Sequence, residues 1–110
     1  MPLRIALAQV NPTVGDLGGN VEKIADAYRR AGDEGADLVV FPELGLTGYL
    51  LQDLASEVAM RLDDERLVGL AAETEGGLSA VVSFVEESAD HRLFISAALL
   101  EDGALRHVHR

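Results

Sequence analysis

DLVVFPE, residues 37–43, is the segment that most clearly indicates the architecture of this chain. Apart from Asp37, its first five residues form a short apolar run rich in valine, with Gly35 before it and Pro42 after it. A continuous apolar run of this length, bounded by chain-breaking residues, is typical of a parallel strand that is buried on both faces. The segment therefore predicts an interior strand of an α/β sheet, with the Glu43 carboxylate just beyond its end.

Upstream of this strand the sequence predicts a second strand and a helix. Residues 3–10 (LRIALAQV) are apolar except at Arg4 and Gln9, which favours a strand covered on both faces and ended by Asn11-Pro12. Three glycines follow in the loop over 13–19, and Asn20 is a favourable N-cap for a helix over 20–31. The strand, helix and strand together predict a βαβ unit.

Downstream, residues 42–52 are too rich in proline and glycine for regular structure, yet they are apolar enough to predict a loop packed against the fold. Two short helices follow, the first capped by Asp53 or Ser56 and the second by Asp63 or Asp64. Residues 79–85 predict a strand, and the acidic residues 86–90 a solvated turn. A hairpin over 92–100 and 104–109 is indicated by its Asp-Gly turn. The predicted order is βαβααβββ, an α/β fold.

Composition limits the class of protein. The chain has 110 residues, 48% of them apolar, and a net charge of −10 from 9 basic and 19 acidic residues. This length suits one domain with its own core. The spread of negative charge makes nucleic acid and anionic membranes poor partners, since both repel it. With no membrane-length apolar run and no secretory leader, the expected location is cytoplasmic.

The chain contains no cysteine, which excludes disulfides, thiolate metal sites and a thiol nucleophile within these residues. His107 and His109 lie two residues apart on a predicted strand, but two ligands without a third are better explained as a solvated strand end. The glycines over 15–19 match neither common phosphate-binding pattern, so we expect a plain loop there. No metal site is predicted.

Glu43 is the residue best placed for chemistry. Ligands of open α/β sheets bind beyond the carboxyl ends of parallel strands. A carboxylate there, among Phe41, Leu44 and Leu46, is expected to be partly desolvated, which raises its proton affinity and suits a general base. The alternative is an ordinary loop glutamate that is exposed to water.

Several motifs occur in order along nearly the whole chain. They are RIALAQVNPTVGDLGGN at 4–20, Phe41-Pro42-Glu43-Leu44, Leu46-Thr47-Gly48-Tyr49, Gln52-Asp53-Leu54, and SAALLEDG with RHVHR at 96–110. In these features the chain resembles the nitrilase, or carbon–nitrogen hydrolase, superfamily, and is most similar to the glutaminase half of glutamine-dependent NAD synthetases. Two positions depart from that pattern: Ile95 stands where relatives usually have asparagine, and Leu50 where proline usually follows Gly-Tyr.

The resemblance implies a four-layer αββα sandwich, of which residues 1–110 form the N-terminal part. It also implies a Glu-Lys-Cys triad that cleaves an amide through a thioester, with Glu43 as the base and the lysine stabilising the oxyanion. Thr47 and Tyr49 are candidates for the substrate pocket, although Tyr49 could equally be a packing residue. The lysine is expected just after Arg110 and the cysteine further on, so this chain alone is expected to be inactive and to leave one apolar sheet face uncovered.

The same resemblance implies glutamine as substrate and ammonia as a product used by an attached synthetase domain. ATP and magnesium are expected only in that attached domain, and no cofactor in this one. A homo-oligomer is also expected. Two alternatives remain open: another nitrilase-superfamily amidase or nitrilase, and a truncated, non-catalytic chain that associates through its uncovered sheet.

Overall fold

The computed structural model describes residues 2–48 and 55–110. Within these ranges the elements follow the predicted order βαβααβββ. They are β1 (Ile5–Leu7), α1 (Leu17–Asp33), β2 (Leu38–Val40), α2 (Ala55–Val58), α3 (Glu65–Glu73), β3 (Ser79–Glu87), β4 (Leu93–Glu101) and β5 (Ala104–His109).

The strands form one mixed sheet in the order β1-β2-β3-β4-β5. β1, β2 and β3 are parallel, with Ala6 beside Val39 and Val39 beside Ala80. β4 and β5 add to β3 as antiparallel neighbours. The α/β class and the parallel βαβ unit are therefore confirmed, and the three parallel strands end at the same edge of the sheet.

Helices α1 and α3 pack on one face of the sheet. Their inward side chains, such as Ile24 and Leu67, join Val39, Val82 and Phe84 of the sheet in one buried core. The opposite face carries Ile5, Leu7, Leu93 and Ile95, which the strand register places on the same side; all four are exposed. An exposed apolar sheet face agrees with the expectation from the sequence, whereas the four-layer order stays a prediction.

The prediction for the first strand is wrong in length and in burial. Only Ile5–Leu7 form β1, and Leu7 is 76% exposed rather than covered. The reason is that only the face of β1 that carries Ala6 packs against the helix layer, and nothing among the described residues covers the face that carries Ile5 and Leu7. An apolar run cannot show whether both faces of a strand are covered by the same chain.

Helix α1 begins earlier than predicted. Asp16, not Asn20, is its N-cap, because the Asp16 carboxylate accepts a hydrogen bond from Gly19 N–H at 3.0 Å. Gly18 and Gly19 therefore lie in the first turn of the helix rather than in the predicted loop. Asn20 is left inside the helix with its side chain fully buried.

Helix α3 is capped by Asp64, as predicted, through a 2.9 Å hydrogen bond from Arg66 N–H. Its predicted inward residues Leu67, Leu70 and Ala71 are all buried. Of the two predicted caps of the preceding helix, Ser56 lies inside α2 and so does not cap it. Asp53, together with Leu54, lies outside the described residues.

Strand β3 continues through Glu86 and Glu87, so the predicted solvated turn over 86–90 starts too early. The hairpin of β4 and β5 is confirmed, and its turn residues Asp102 and Gly103 have φ values of +51° and +85°. Two consecutive positive φ values are those of a type I′ turn, which matches the twist of the paired strands. Among the described residues, none of the helices is both apolar and long enough to cross a bilayer.

Candidate active site

The loop over 42–48 follows β2 and runs alongside β3. Phe41 N–H donates to Val81 O at 3.0 Å, and Leu46 N–H donates to Ser83 O at 3.1 Å. Leu44 and Leu46 are buried. The apolar loop is thus packed against the sheet as predicted, and β3 fixes it directly after the end of β2.

Glu43 lies in this loop at the carboxyl end of β2, but it is exposed. The expectation that its carboxylate is partly desolvated is therefore wrong for the described structure. Phe41 and Leu46 belong to the core beneath the loop, and Leu44 is also buried, so these apolar neighbours do not enclose the carboxylate. Leu44 has a φ of +54°, an uncommon value for a side chain of this size, which turns the backbone immediately after Glu43.

Thr47 is fully buried rather than exposed at the surface of a pocket. Its hydroxyl donates to Gly48 O at 3.4 Å, and its carbonyl accepts from Gly15 N–H at 3.1 Å. Thr47 therefore joins the Glu43 loop to the loop that follows β1. Its role as a pocket residue stays a prediction, and Tyr49 lies outside the described residues.

Asn20 binds both of these loops. Its Nδ2 donates to the carbonyls of Thr13 at 2.8 Å and Leu46 at 2.9 Å, and its Oδ1 accepts from Thr13 N–H at 2.8 Å. Sequence reasoning used this asparagine as a helix cap and missed the contact with Leu46. The signal available was Asp16, which offers an alternative cap and leaves Asn20 free for another role.

Glu86 is a second residue that sequence reasoning missed. It is only 1% exposed, although it falls in an acidic run. Its carboxylate accepts from Ser96 Oγ at 2.8 Å and from Arg110 Nε and Nη2 at 2.9 and 2.7 Å. The hydrogen-bonded Arg110 guanidinium, with smaller help from Ser96, lowers the pKa of Glu86 despite the opposing effect of burial.

This ionic cluster lies at the same end of the sheet as Glu43, since Glu86 lies at the carboxyl end of β3. Arg110 directly follows β5, and its guanidinium also packs 4.8 Å from the centre of the Phe94 ring. The end of β5 is therefore held against β3 and β4 through a side chain. An open cleft of about 280 Å³ lies between this cluster and the segment over 61–63.

Within residues 2–48 and 55–110 there is no group of three or more His, Asp or Glu side chains that could hold a metal ion. His107 and His109 are both exposed on β5, as expected for a solvated strand end. The carboxylate that the described site offers is that of Glu43, on a loop held by hydrogen bonds to β3 and α1.

The family model of the carbon-nitrogen hydrolases matches residues 4–110. The chain belongs to the carbon–nitrogen hydrolase family. The match covers the strands, the helices and the loop that bears Glu43, and it confirms the resemblance seen in the sequence motifs.

Relatives of this carbon–nitrogen hydrolase chain include glutamine-dependent NAD synthetases and amidases. A glutamine-dependent NAD(+) synthetase from Thermotoga maritima is 39% identical over 98% of the chain and 19% of its own length. The structure of a glutamine-dependent NAD+ synthetase from Acinetobacter baumannii is 29% identical with a TM-score of 0.82, over 97% of this chain and 20% of that one.

Other relatives are amidases. A mutant amidase from Nesterenkonia sp. AN1, with acrylamide added at its active-site cysteine, is 28% identical with a TM-score of 0.81. The match covers 99% of this chain and 44% of the amidase. The present chain thus spans about a fifth of the synthetases and less than half of the amidase.

Proposed function

We propose that residues 1–110 form the N-terminal part of a glutaminase domain, which releases ammonia from glutamine for ATP-dependent NAD synthesis in an attached synthetase domain. The observation that carries this proposal is the 39% identity to a glutamine-dependent NAD(+) synthetase over 98% of the chain. The position of Glu43 at the carboxyl end of a parallel strand supports it, because that edge is where α/β sheets bind ligands.

In the proposed reaction the Glu43 carboxylate takes the proton of a cysteine thiol. The thiolate attacks the amide carbonyl, and the C–N bond breaks as ammonia leaves with a returned proton. Water then hydrolyses the thioester to glutamate and regenerates the thiol. The exposure of Glu43 suits this role, because the carboxylate must be open to groups that approach from outside the described residues.

The lysine and the cysteine are proposed to follow Arg110, since residues 1–110 contain no cysteine. The lysine would stabilise the oxyanion of the tetrahedral intermediate. If it follows β5 directly, the Glu86–Arg110 contact holds its backbone at the edge where Glu43 lies. Residues 1–110 by themselves are then expected to be inactive, because the nucleophile is essential for covalent catalysis.

The proposal extends to cofactors, assembly and location. ATP and magnesium would bind only in the synthetase domain, and this domain would need no cofactor. The protein would be cytoplasmic and homo-oligomeric. Light scattering of the full-length protein and dialysis against a chelator before a glutaminase assay test the assembly and the cofactor statements.

The first experiment is to read the coding sequence in frame beyond Arg110. A lysine codon within the next few positions and a cysteine codon further on support a working amide hydrolase. An immediate stop codon contradicts the proposal and favours a non-catalytic chain that associates through the apolar sheet face, whose exposed side chains are the observation behind that alternative.

The second experiment replaces Glu43 by Gln in the full-length protein. Turnover of glutamine is expected to fall by roughly 10²–10⁴-fold while the fold is retained, because a general base is lost. Glu101→Gln is the matched control, since Glu101 is an exposed carboxylate at the opposite end of the sheet. Unchanged turnover in Glu43→Gln would exclude Glu43 as the base.

The same full-length protein separates the two enzyme candidates. Ammonia transfer from glutamine to deamido-NAD in the presence of ATP supports the synthetase assignment. Hydrolysis of other amides without any synthetase activity supports the second candidate, an independent amidase, which the similarity to the Nesterenkonia enzyme favours.

A further inference from the structure

We propose that Asn20 is a positioning residue for Glu43: its buried amide holds the backbone turn that orients the carboxylate. The inference rests on the proposed function, in which Glu43 acts as the base. It is carried by the three hydrogen bonds of Asn20 and by the backbone conformation next to Glu43.

The amide of Asn20 is fully used in the interior. Its side chain is 0% exposed, both Nδ2 protons are donated to carbonyls, and Oδ1 accepts an N–H. A buried polar side chain of this kind costs free energy when any partner is removed. An asparagine that only capped a helix would not need a contact to Leu46, 26 residues away.

The contact falls on a peptide that is held from two sides. Leu46 N–H donates to Ser83 O of β3, and Leu46 C=O accepts from Asn20 of α1. Gly48 closes the other end of the loop, where a Cβ would come within 2.8 Å of Val14 Cα. The loop that carries Glu43 is therefore enclosed between β3, α1 and the segment after β1.

These contacts hold the backbone next to Glu43 in an unfavourable conformation. Leu44 has a φ of +54°, directly after Glu43. A non-glycine residue in the left-handed region is energetically unfavourable and persists only where its surroundings impose it. Without Asn20 the loop can relax at Leu44, and that rotation would redirect the Glu43 carboxylate. Small displacements of a catalytic group reduce rates strongly.

The test uses the full-length protein with Asn20→Ala, and with Asn20→Ser as a milder variant that keeps a hydroxyl. We expect kcat for glutamine hydrolysis to fall by roughly 10- to 100-fold while KM changes little, since binding groups are untouched. Asn20→Ser should recover part of the rate. Thr74→Val is the control, because it removes both hydrogen bonds of the buried Thr74 hydroxyl, to Ala71 O and from Gly103 N–H, at the opposite end of the sheet. Thr74→Val should leave kcat unchanged even where it lowers the melting temperature by as much as Asn20→Ala does.

A double variant, Asn20→Ala with Glu43→Gln, separates positioning from general destabilisation. If Asn20 acts through Glu43, the double variant is no slower than Glu43→Gln alone. A normal kcat in folded Asn20→Ala, or in Asn20→Ser where Asn20→Ala does not fold, overturns the inference while Glu43→Gln remains impaired. A fully additive double variant overturns it as well. Full activity in Glu43→Gln itself would instead overturn the proposed function.

Discussion

Glu86 illustrates how one residue acquires its role from distant partners. Its side chain is almost completely buried, yet Ser96 and Arg110 supply hydrogen bonds that keep it charged. A buried carboxylate without such partners would be costly, and it would take up a proton instead. The pair therefore ties β3 to the end of β5 at the edge that carries Glu43.

We expect Glu86→Gln to weaken this end of the sheet by about 1.5–3 kcal/mol, the usual contribution of hydrogen bonds to charged groups. Hydrogen exchange of the β3 amides in the full-length protein measures the local effect. Glu22→Gln is the control, since Glu22 is exposed on α1. Equal protection in both variants would contradict a stabilising role for the pair.

The same contact should depend on pH. The pKa of Glu86 is lower in the folded protein than its ordinary value of 4.5. Its stabilising contribution is therefore fully present above about pH 4.5 and is lost as pH falls through the lower, folded-state pKa. Protection of β3 in Glu86→Gln should lack this acid-dependent component. An identical acid response in wild type and variant would contradict the prediction.

At the scale of elements, the β4–β5 hairpin depends on its turn, whereas α3 tolerates its glycine without needing it. Gly103 has a φ of +85°, and an added Cβ would lie 3.4 Å from Glu75 Cβ. Gly69 lies in the exposed part of α3, with nothing within 4 Å of an added Cβ. The same substitution should therefore have opposite effects at the two positions.

We expect Gly103→Ala to destabilise the protein by about 1 kcal/mol because alanine resists a positive φ. Gly69→Ala should stabilise it by up to about 1 kcal/mol, since alanine is the better helix former. Urea unfolding monitored by circular dichroism compares the two. A stabilising Gly103→Ala would show that the turn conformation does not constrain the hairpin.

At the scale of the whole molecule, the sheet is covered on one face by α1 and α3, while Ile5, Leu7, Leu93 and Ile95 remain exposed on the other. Exposed apolar side chains that share one face of a sheet favour association. The proposed remainder of the domain would cover this face in the full-length protein.

Expressed alone, residues 1–110 should therefore self-associate in a concentration-dependent way, as measured by sedimentation velocity. Leu7→Lys combined with Ile95→Lys should shift the chain towards monomer, because both charges fall on the exposed face. Val68→Lys is the control, since Val68 is equally apolar and 53% exposed but lies on α3. A monomeric wild-type chain at high concentration would contradict the prediction.

The amino-acid sequence determined the kinds and order of the elements, the βαβ unit, the hairpin turn and the place of Glu43 at a strand end. These features depend on local signals: apolar runs, the Asp64 cap, and the Asp102-Gly103 pair, whose effects act over a few residues. The sequence motifs also identified the family, because they occur in the same order along the chain.

Only the tertiary structure decided the burial of Glu86, the second role of Asn20 and the exposure of β1. Glu86 meets Arg110 across 24 residues and Asn20 meets Leu46 across 26, so no local pattern reports these contacts. Burial belongs to the assembled surface: an acidic run gains a buried carboxylate when a cation folds over it, and an apolar strand stays exposed where nothing among the described residues packs on its outer face.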